Sequence, residues 1–583
     1  MDSNFSFLAI DFPALEKTGY LAEIYLYNDA NACIYKMGTF AETMVNYIFE
    51  LDDLKPPSGT NNTQANKVNI LLQKNKIDKE IKSIFDLIRT SRNLAVHDGL
   101  DSYELCLTLI ERTYTLAVWF MLAYGDDAYA PVPFILPEDI SNRDDYANLK
   151  DEYEKLSSKM AKIKAAVLSG RIHVHVNPSE RRRRMEKASR SIRLSEREVR
   201  CIIDEELRKV GWETDTFNLR YSRGTRPGEG RNIAIAEWPT DLTVCKWGYM
   251  DYALFAGNKL VGVVEANADR RDIPYAIDNQ CREYSMGVKE EHTEYMADTW
   301  GEYKVPFLFA TNGRAFREQY EKGTGVWFRD ARDDANTPRV LQGWIGPQGL
   351  LDTLERDIAA ENRKLAEASY GPLLEKDGLS LRPYQIEAIE KAESSILDGR
   401  RAILLAMAEG TGINRTILGF VYRFLKTGRF KSILFLLDRA DIGEQMLDSF
   451  KKVKVEGPMT IDQVYDIKAL DDINIDMETK IQIATFQDLA QCLLYNDSES
   501  MPSVSDYDLI VIDQVNHRYI PDDDASGGQS GQSYSEYRAV IDYFDAVKIA
   551  WAAGKEPYVT EIFGEPVFEY THERAVSEGY LFD

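Results

Sequence analysis

Five short apolar runs organise the last third of the sequence: AILLA (402–406), SILFLL (432–437), IQIAT (481–485), LIVID (509–513) and KIAWA (548–552). Helical patterns or long polar loops separate them. A strand covered on both faces reads as an unbroken apolar run, and parallel strands need crossover helices between them. The spacing therefore predicts a doubly wound parallel sheet over residues 375–583. In such a sheet ligands collect at the carboxyl ends of the strands. The first run ends in MAEGTGINRT (407–416), a glycine turn that opens the helical pattern ILGFVYRFL. Strand, turn and helix together make a phosphate-binding arrangement, because turn amides and the helix N-terminus face the anion. Gly410, Thr411 and Gly412 keep the turn. The lysine and hydroxyl of an intact phosphate loop are replaced by Ile413 and Asn414, while Arg415 and Thr416 come two positions late. Upstream, Gln385 in LRPYQ is placed to read an adenine edge. Downstream, Asp513 ends a strand where a Mg²⁺-linked aspartate belongs, but the acid expected beside it to polarise water is Gln514. Without a charged base at that position hydrolysis is expected to fail even where nucleotide binds.

The rest of the chain supplies different material. At 583 residues it exceeds one domain, and 44% hydrophobic content is that of a packed globular protein. A net charge of −25 argues against coating nucleic acid over the whole surface and leaves room for a local basic groove. Cys33, Cys106, Cys201, Cys245, Cys281 and Cys492 form neither CxxC nor Cys/His ligand spacings, the pattern of a reducing cytoplasm without structural zinc. No apolar run is expected to reach the roughly 20 residues of a membrane span, and no signal-peptide pattern opens the chain.

Residues 1–143 read as helical, with three-and-four apolar steps in MGTFAETMVNYIFEL and IKSIFDLIRTSRNLAVH. Residues 144–193 read as a coiled-coil-like helix, with heptad steps from Tyr146 to Val167, and a basic linker containing Arg181, Arg182, Arg183 and Arg184. Residues 194–350 alternate strands and helices in an α/β domain. There Asp251 opens the strand MDYALFA and Glu265 closes KLVGVVEA, so neighbouring strand ends can present two carboxylates to Mg²⁺. A nuclease of this geometry places a lysine two residues after the glutamate, on the same strand face. That position holds Asn267. Gln280 and Tyr284, one helical turn apart, can line the same pocket.

These pieces, in this order, resemble the restriction (R) subunit of type I restriction–modification enzymes. LRPYQIEAIE, MAEGTG, GRFKSILFLLDRADIGEQ, KVEG, IATFQDL, YDLIVID and YRAVIDYFDAVKIA carry the likeness, together with SEREVRCIIDEELRKVGW, MDYALFAGNKLVGVVEA and QCREY. The resemblance implies a multidomain α/β protein: an N-terminal helical domain, a PD-(D/E)xK nuclease-like domain and a RecA-like helicase lobe. It implies a subunit that joins methylation and specificity subunits, moves double-stranded DNA with ATP and cuts it with Mg²⁺. Its nuclease acids fall on Asp251 and Glu265 and its lysine on Asn267. Its phosphate-loop pair falls on Ile413 and Asn414, and its Asp-Glu-Ala-His box on Asp513, Gln514, Val515 and Asn516. Its coupling motif falls on Ala552, Ala553, Gly554 and Lys555. The family also has a second RecA-like lobe beyond the point where this sequence stops. The departures cluster on charged and hydroxyl groups, so the expected protein keeps fold and interaction surfaces but has lost ATP hydrolysis and translocation, with DNA cleavage weakened.

A third constellation lies in RTSRNLAVHDG. Arg92 and His97 look like the Arg-x4–6-His motif of HEPN domains, where a histidine exchanges a proton with ribose oxygen and an arginine stabilises phosphorane charge, commonly across a homodimer. Two other readings follow: a working, truncated or divergent R subunit, and a HEPN RNase toxin with nuclease-like and RecA-like sensor domains. A cytoplasmic protein that binds no membrane is expected in each case.

Overall fold

The computed structural model describes residues 3–57, 59, 62–97, 102–125, 129–139, 181, 183–185, 187–188, 196–266, 272–314, 316, 322–437, 440–468, 479–495, 502–512, 534–553 and 557–582. The chain divides into two compact units, Met1–Arg339 and Val340–Asp583.

The first unit opens with helices α1 (Pro13–Tyr25), α2 (Ala30–Leu51), α3 (Gln64–Gln73), α4 (Lys79–His97) and α5 (Tyr103–Tyr124). Asp29 Oδ1 accepts from the Ala32 amide at 2.8 Å and Ser102 Oγ from the Leu105 amide at 3.3 Å. Each cap satisfies a first-turn donor that the helix itself cannot. The apolar stripes of α2 (Met37, Phe40, Met44, Ile48) and α4 (Ile81, Ile84, Phe85, Ile88) join one buried core. Helix α5 corrects one expectation, being long and apolar enough to cross a membrane by length and composition. Of its most apolar stretch, however, 67% is buried inside the protein, which is how a core helix passes that test. Its Arg112 is fully buried and meets Glu198 of α6 (Glu196–Lys209) at 3.0 Å. Cys201 and Ile202 of α6 belong to the same core as the five helices.

Against α6 lies a sheet of β1 (Glu213–Thr214), β2 (Asn232–Pro239), β3 (Tyr249–Ala256), β4 (Lys259–Ala266), β5 (Phe307–Thr311), β6 (Val326–Asp330) and β7 (Arg339–Leu341), in that spatial order. Strands β2, β3 and β4 are antiparallel, and β5 runs parallel to β4. The two-residue turn Gly257–Asn258 fixes the β3–β4 register, with Gly257 at φ 60°, a conformation that glycine takes without steric cost. Between β4 and β5 the chain forms α7 (Ile273–Ala276), a π-helical turn (Ile277–Cys281) and α8 (Arg282–Met286).

The second unit contains α9 (Pro383–Leu397), β8 (Ala402–Met407), α10 (Ile413–Thr427) and β9 (Ile433–Leu437). After the small hairpin β10 (Lys454–Glu456) and β11 (Met459–Thr460) come β12 (Asp466–Lys468), β13 (Thr479–Thr485), β14 (Leu509–Ile512), β15 (Val547–Ala552) and β16 (Phe568–Tyr570). The sheet order is β12-β13-β9-β14-β15-β8-β16, parallel throughout. The five apolar runs are its five adjacent inner strands, as a sheet covered on both faces requires. The protein is thus a mixed α/β molecule with a helical N-terminal layer, a mixed sheet and a parallel sheet.

The heptad helix at Tyr146–Val167 lies outside the described residues. In the basic segment, Arg181 pairs with Asp52 and lies 5.1 Å over the Tyr124 ring.

Candidate functional site

The β3–β4 hairpin places Asp251 and Glu265 one residue beyond the Tyr252–Val264 pair on their respective strands. Both carboxylates are buried, at 7% and 6% exposure. Every carboxylate oxygen has a protein donor. Asp251 Oδ1 accepts from Arg200 Nη2 at 2.6 Å and Oδ2 from the Ala266 amide at 2.8 Å. Glu265 Oε1 accepts from Gln280 Nε2 at 3.0 Å and Oε2 from the Tyr284 hydroxyl at 2.7 Å. The sequence pairing of Gln280 with Tyr284 is therefore a pairing on one carboxylate. Ser285 Oγ and Cys281 Sγ, on the same helical segment, donate to the Val305 and Phe309 carbonyls at 2.8 and 3.1 Å, tying the helix to the sheet.

Two residues missed in the sequence complete the pocket. Arg200 of α6 touches three carboxylates: Asp251, Glu196 at 2.9 Å and Glu237 at 3.4 Å. Glu237 of β2 sits between the Ala236–Tyr252 and Trp238–Met250 pairs, level with Asp251. Three acids thus stand side by side on β2, β3 and β4. Like charges at that spacing repel, and Arg200 and Arg220 (2.9 Å from Glu237) offset them. Glu237 also has φ 55°, a left-handed conformation that costs a non-glycine residue on the order of 1 kcal/mol or more. One turn along α6 from Arg200, buried Asp204 accepts from Thr214 Oγ1 and the Thr216 amide, both at 2.7 Å, and burial pushes its carboxyl up to about 6. A charged pair inside the apolar stripe of SEREVRCIIDEELRK was the readable signal for this polar seam.

The electrostatics follow from burial. Burial, then the Asp251 charge, pushes the Glu265 carboxyl up to about 8, and burial also raises Asp251 against the opposing pull of Arg200. The negative charge therefore rests on Asp251, beside the guanidinium, and the proton on Glu265. Burial and the two acids push the Tyr284 phenol far up, so it stays a donor. Among the described residues no group of three or more His, Cys, Asp or Glu is arranged to hold a metal ion. The donor set still fits Mg²⁺ as a partial ligand set. Once Glu265 gives up its proton, each carboxylate oxygen retains an acceptor site beyond its one donor, and Mg²⁺ is commonly held by one or two carboxylates with water and substrate phosphate. Asn267 lies outside the described residues.

The glycine turn of the second unit is organised the other way round. Gly410 and Gly412 have φ 81° and 80°, which bend the chain from β8 into α10. Ile413, where a phosphate-loop lysine stands, is 6% exposed and belongs to the core cluster with Ile417, Leu405 and Tyr384. Gln385 Nε2 donates to the Thr411 and Gly412 carbonyls at 3.3 and 3.0 Å, and the Tyr384 hydroxyl donates to Thr411 O at 2.7 Å. Tyr384 stacks on Tyr570 at 4.0 Å. Thr411 Oγ1 donates to Ala408 O at 2.6 Å and Thr416 Oγ1 to Gly412 O at 3.2 Å. The turn's polar side chains thus bind the turn itself. Asn414 is half-buried, while Arg415 and Glu409 are exposed. Asp513, Gln514, Val515, Asn516, Gly554 and Lys555 lie outside the described residues; Ala552 ends β15 and Ala553 follows it, exposed.

In the helical layer, Arg92 of α4 pairs with Glu42 at 3.0 Å and lies 5.2 Å over the Tyr35 ring. Gly38 makes room for it, since a Cβ there would meet Arg92 Cδ at 2.2 Å. His97 is the last residue of α4. His292, among the remaining histidines, is a buried packing residue against Trp238 and Tyr221.

Residues 213–354 match the family described as "Type I restriction enzyme EcoKI endonuclease subunit second domain", and residues 378–553 match "Type III restriction enzyme, res subunit". The type I restriction enzyme EcoKI endonuclease subunit of Escherichia coli (strain K12) is 33% identical in an alignment covering all of this chain and 55% of that subunit. The EcoAI endonuclease subunit of Escherichia coli is 28% identical, over 48% of this chain and 32% of its own. The chain spans about half the length of the EcoKI subunit. A solved fragment of an HsdR subunit of a type I restriction enzyme from Vibrio vulnificus YJ016 is 17% identical, covering 67% of this chain and 62% of that one at a TM-score of 0.25.

Proposed function

The chain belongs with the endonuclease subunits of type I restriction enzymes, an HsdR-like protein with nuclease- and helicase-like domains, and from that premise we propose a DNA-directed restriction or phage-defence subunit. In this reading its carboxylate pocket acts on DNA while its glycine turn no longer drives ATP hydrolysis. The helical domain (1–143), the connecting helix and linker (144–193), the nuclease-like domain (194–350) and the helicase-like lobe (375–583) are its parts. Its partners are double-stranded DNA and the methylation and specificity subunits of a cytoplasmic complex, with a homodimer through the helical domain as a further contact.

The observation that carries this reading is the convergence of Arg200, Gln280, Tyr284 and the Ala266 amide on the four oxygens of Asp251 and Glu265. A buried acid pair is costly unless its oxygens are satisfied, and here the surroundings are built for that purpose. Asp251 and Glu265 would hold Mg²⁺, which supplies Lewis-acid polarisation of a phosphodiester and a water of lowered pKa. Gln280 and Tyr284 fix the Glu265 rotamer, and Arg200 fixes that of Asp251. Ile413 supports the second half of the reading, because an apolar side chain in the core offers a γ-phosphate no charge.

The test is plasmid cleavage by the purified chain with Mg²⁺ or Mn²⁺, with and without ATP, beside Asp251→Ala and Glu265→Ala. Metal-dependent cleavage that ATP does not alter, and that falls about 100-fold or more in either variant, is the expected outcome. Cleavage indifferent to both variants overturns the pocket. Mg-ATP binding tighter than about 10 µM by calorimetry, with turnover, overturns the inert turn. RNA in a parallel metal-free reaction is expected to remain intact, in keeping with Arg92 being held by Glu42; cleavage lost in His97→Ala would revive the RNase reading.

A further inference from the structure

The nuclease-like pocket has two acids and, at the position two residues after Glu265, an asparagine in place of a cation. A phosphodiester brought to two carboxylates needs positive charge close by, both to tolerate its approach and to stabilise the charge that grows on its non-bridging oxygens. Among the described residues that touch the acid pair, one is a cation, Arg200. It comes from α6 rather than from β4. Its Nη2 lies 2.6 Å from Asp251 Oδ1 and 2.9 Å from Glu196 Oε1.

Those two partners differ in kind. The Asp251 side chain is 10% exposed and that of Glu196 is 65% exposed. One nitrogen of a buried guanidinium therefore bonds both a buried carboxylate and a solvent-facing one. Its bond to Glu196 is the weaker one, since that carboxylate is largely in water and gives up side-chain freedom to make it. The Glu237 contact, at 3.4 Å, is also long. Arg200 Nε is buried and has no hydrogen-bond partner among the described residues. With Nε closed off from solvent, the weak bonds to Glu196 and Glu237 leave Nη2 and Nη1 as the pair with the capacity for a bidentate contact to phosphate.

We propose that Arg200 is the phosphate-binding cation of this pocket, supplying from helix α6 the charge that the asparagine after Glu265 does not. On this account Asp251 anchors the guanidinium through one hydrogen of Nη2. An incoming DNA phosphate displaces Glu196 from Nη2 and Glu237 from Nη1 and is held against the acid pair. The inference rests on the nuclease reading above and adds to it the residue that meets the scissile group.

The experiment compares wild type, Arg200→Gln, Arg200→Lys and the double variant Arg200→Gln with Asn267→Lys. Two readouts are taken: anisotropy of a fluorescent 20-base-pair duplex in Ca²⁺, which supports binding without turnover, and Mn²⁺-dependent plasmid cleavage. Thermal melts report folding. Arg200→Gln is expected to weaken duplex binding about tenfold, the effect of one charged contact, and to lower cleavage further. Arg200→Lys retains part of both, and the double variant recovers both, because a lysine two residues after Glu265 restores a positive charge. Unchanged binding in folded Arg200→Gln overturns the proposal. So does failure of Asn267→Lys to rescue a folded Arg200→Gln, which would make Arg200 a purely structural counter-ion. Wild type that binds duplex but never cuts sinks the nuclease reading while leaving the Arg200 contact measurable through binding. Wild type that binds no duplex overturns both.

Discussion

The carboxylate pocket of the first unit and the glycine turn of the second are both polar features at strand ends of an α/β sheet, yet their hydrogen bonds run in opposite directions. In the pocket, donors from three other elements point at the side-chain oxygens of Asp251 and Glu265. In the turn, Gln385 and Tyr384 point at backbone carbonyls, and the position that would carry charge has joined the core. The first arrangement keeps two acids buried at a cost to stability. The second converts the same kind of location into ordinary packing. A site is recognised less by its residue types than by whether surrounding bonds converge on reactive atoms or on the main chain.

The sharpest way to break this contrast is to give the turn its charge back. Ile413→Lys is expected to destabilise the second unit by about 2–4 kcal/mol, the cost of replacing buried apolar volume with an unpaired ammonium. Thermal melts would show the loss, and millimolar Mg-ATP would not restore it. If Ile413→Lys with Asn414→Thr instead folds normally and hydrolyses ATP, the turn is a live site lacking two side chains and the contrast collapses.

A smaller effect tests the buried acids. Glu265 is pushed up to about 8 in the fold, against an ordinary value of 4.5. The folded chain therefore holds a proton that the unfolded chain releases. The stabilisation this provides is complete below about pH 4.5 and is lost as pH rises through about 8. Glu265→Gln is expected to flatten the decline of melting temperature across that window, a difference on the order of 1–3 kcal/mol at its upper end. Melts in EDTA between pH 5.5 and 8.5 measure it; parallel slopes for the two proteins would refute the shared burial. Asp204, raised to about 6, contributes to the same slope in both proteins and so cancels.

The smallest effect belongs to the latch on the turn. Gln385→Ala removes the bonds to the Thr411 and Gly412 carbonyls and should cost about 1 kcal/mol. Amide exchange at 411–416 should quicken equally with and without Mg-ATP. Protection of those amides by nucleotide in the unmodified chain would show that Gln385 is available to a ligand after all.

The sheet of the second unit was readable because burial on both faces leaves an unmistakable apolar run, and all five runs became inner strands. Asp251 and Glu265 were readable as acids on neighbouring strands, although β3 opens two residues before Asp251 rather than at it, and Gln280 with Tyr284 as one helical turn. Arg200 and Glu237 were not. They reach the pocket from α6 and β2, and no spacing rule links those segments to β4 before the chain folds. The left-handed backbone at Glu237 is invisible in a glutamate. At position 413 the sequence announced a missing lysine, but only the packing reveals that isoleucine fills the core there.

The π-helical turn at Ile277–Cys281 has a consequence of its own. Such a turn is an α-helix carrying one residue more than its hydrogen-bond pattern needs. A residue lost from the regular winding between that turn and Tyr284, with the turn kept, would swing everything downstream by roughly 100°. Tyr284, Ser285 and Glu265 would all still be present in the sequence, but the phenol would face away from its carboxylate. The pocket depends on arithmetic as well as on chemistry: it can tolerate a change of letter at several places along this segment more readily than a change in their number.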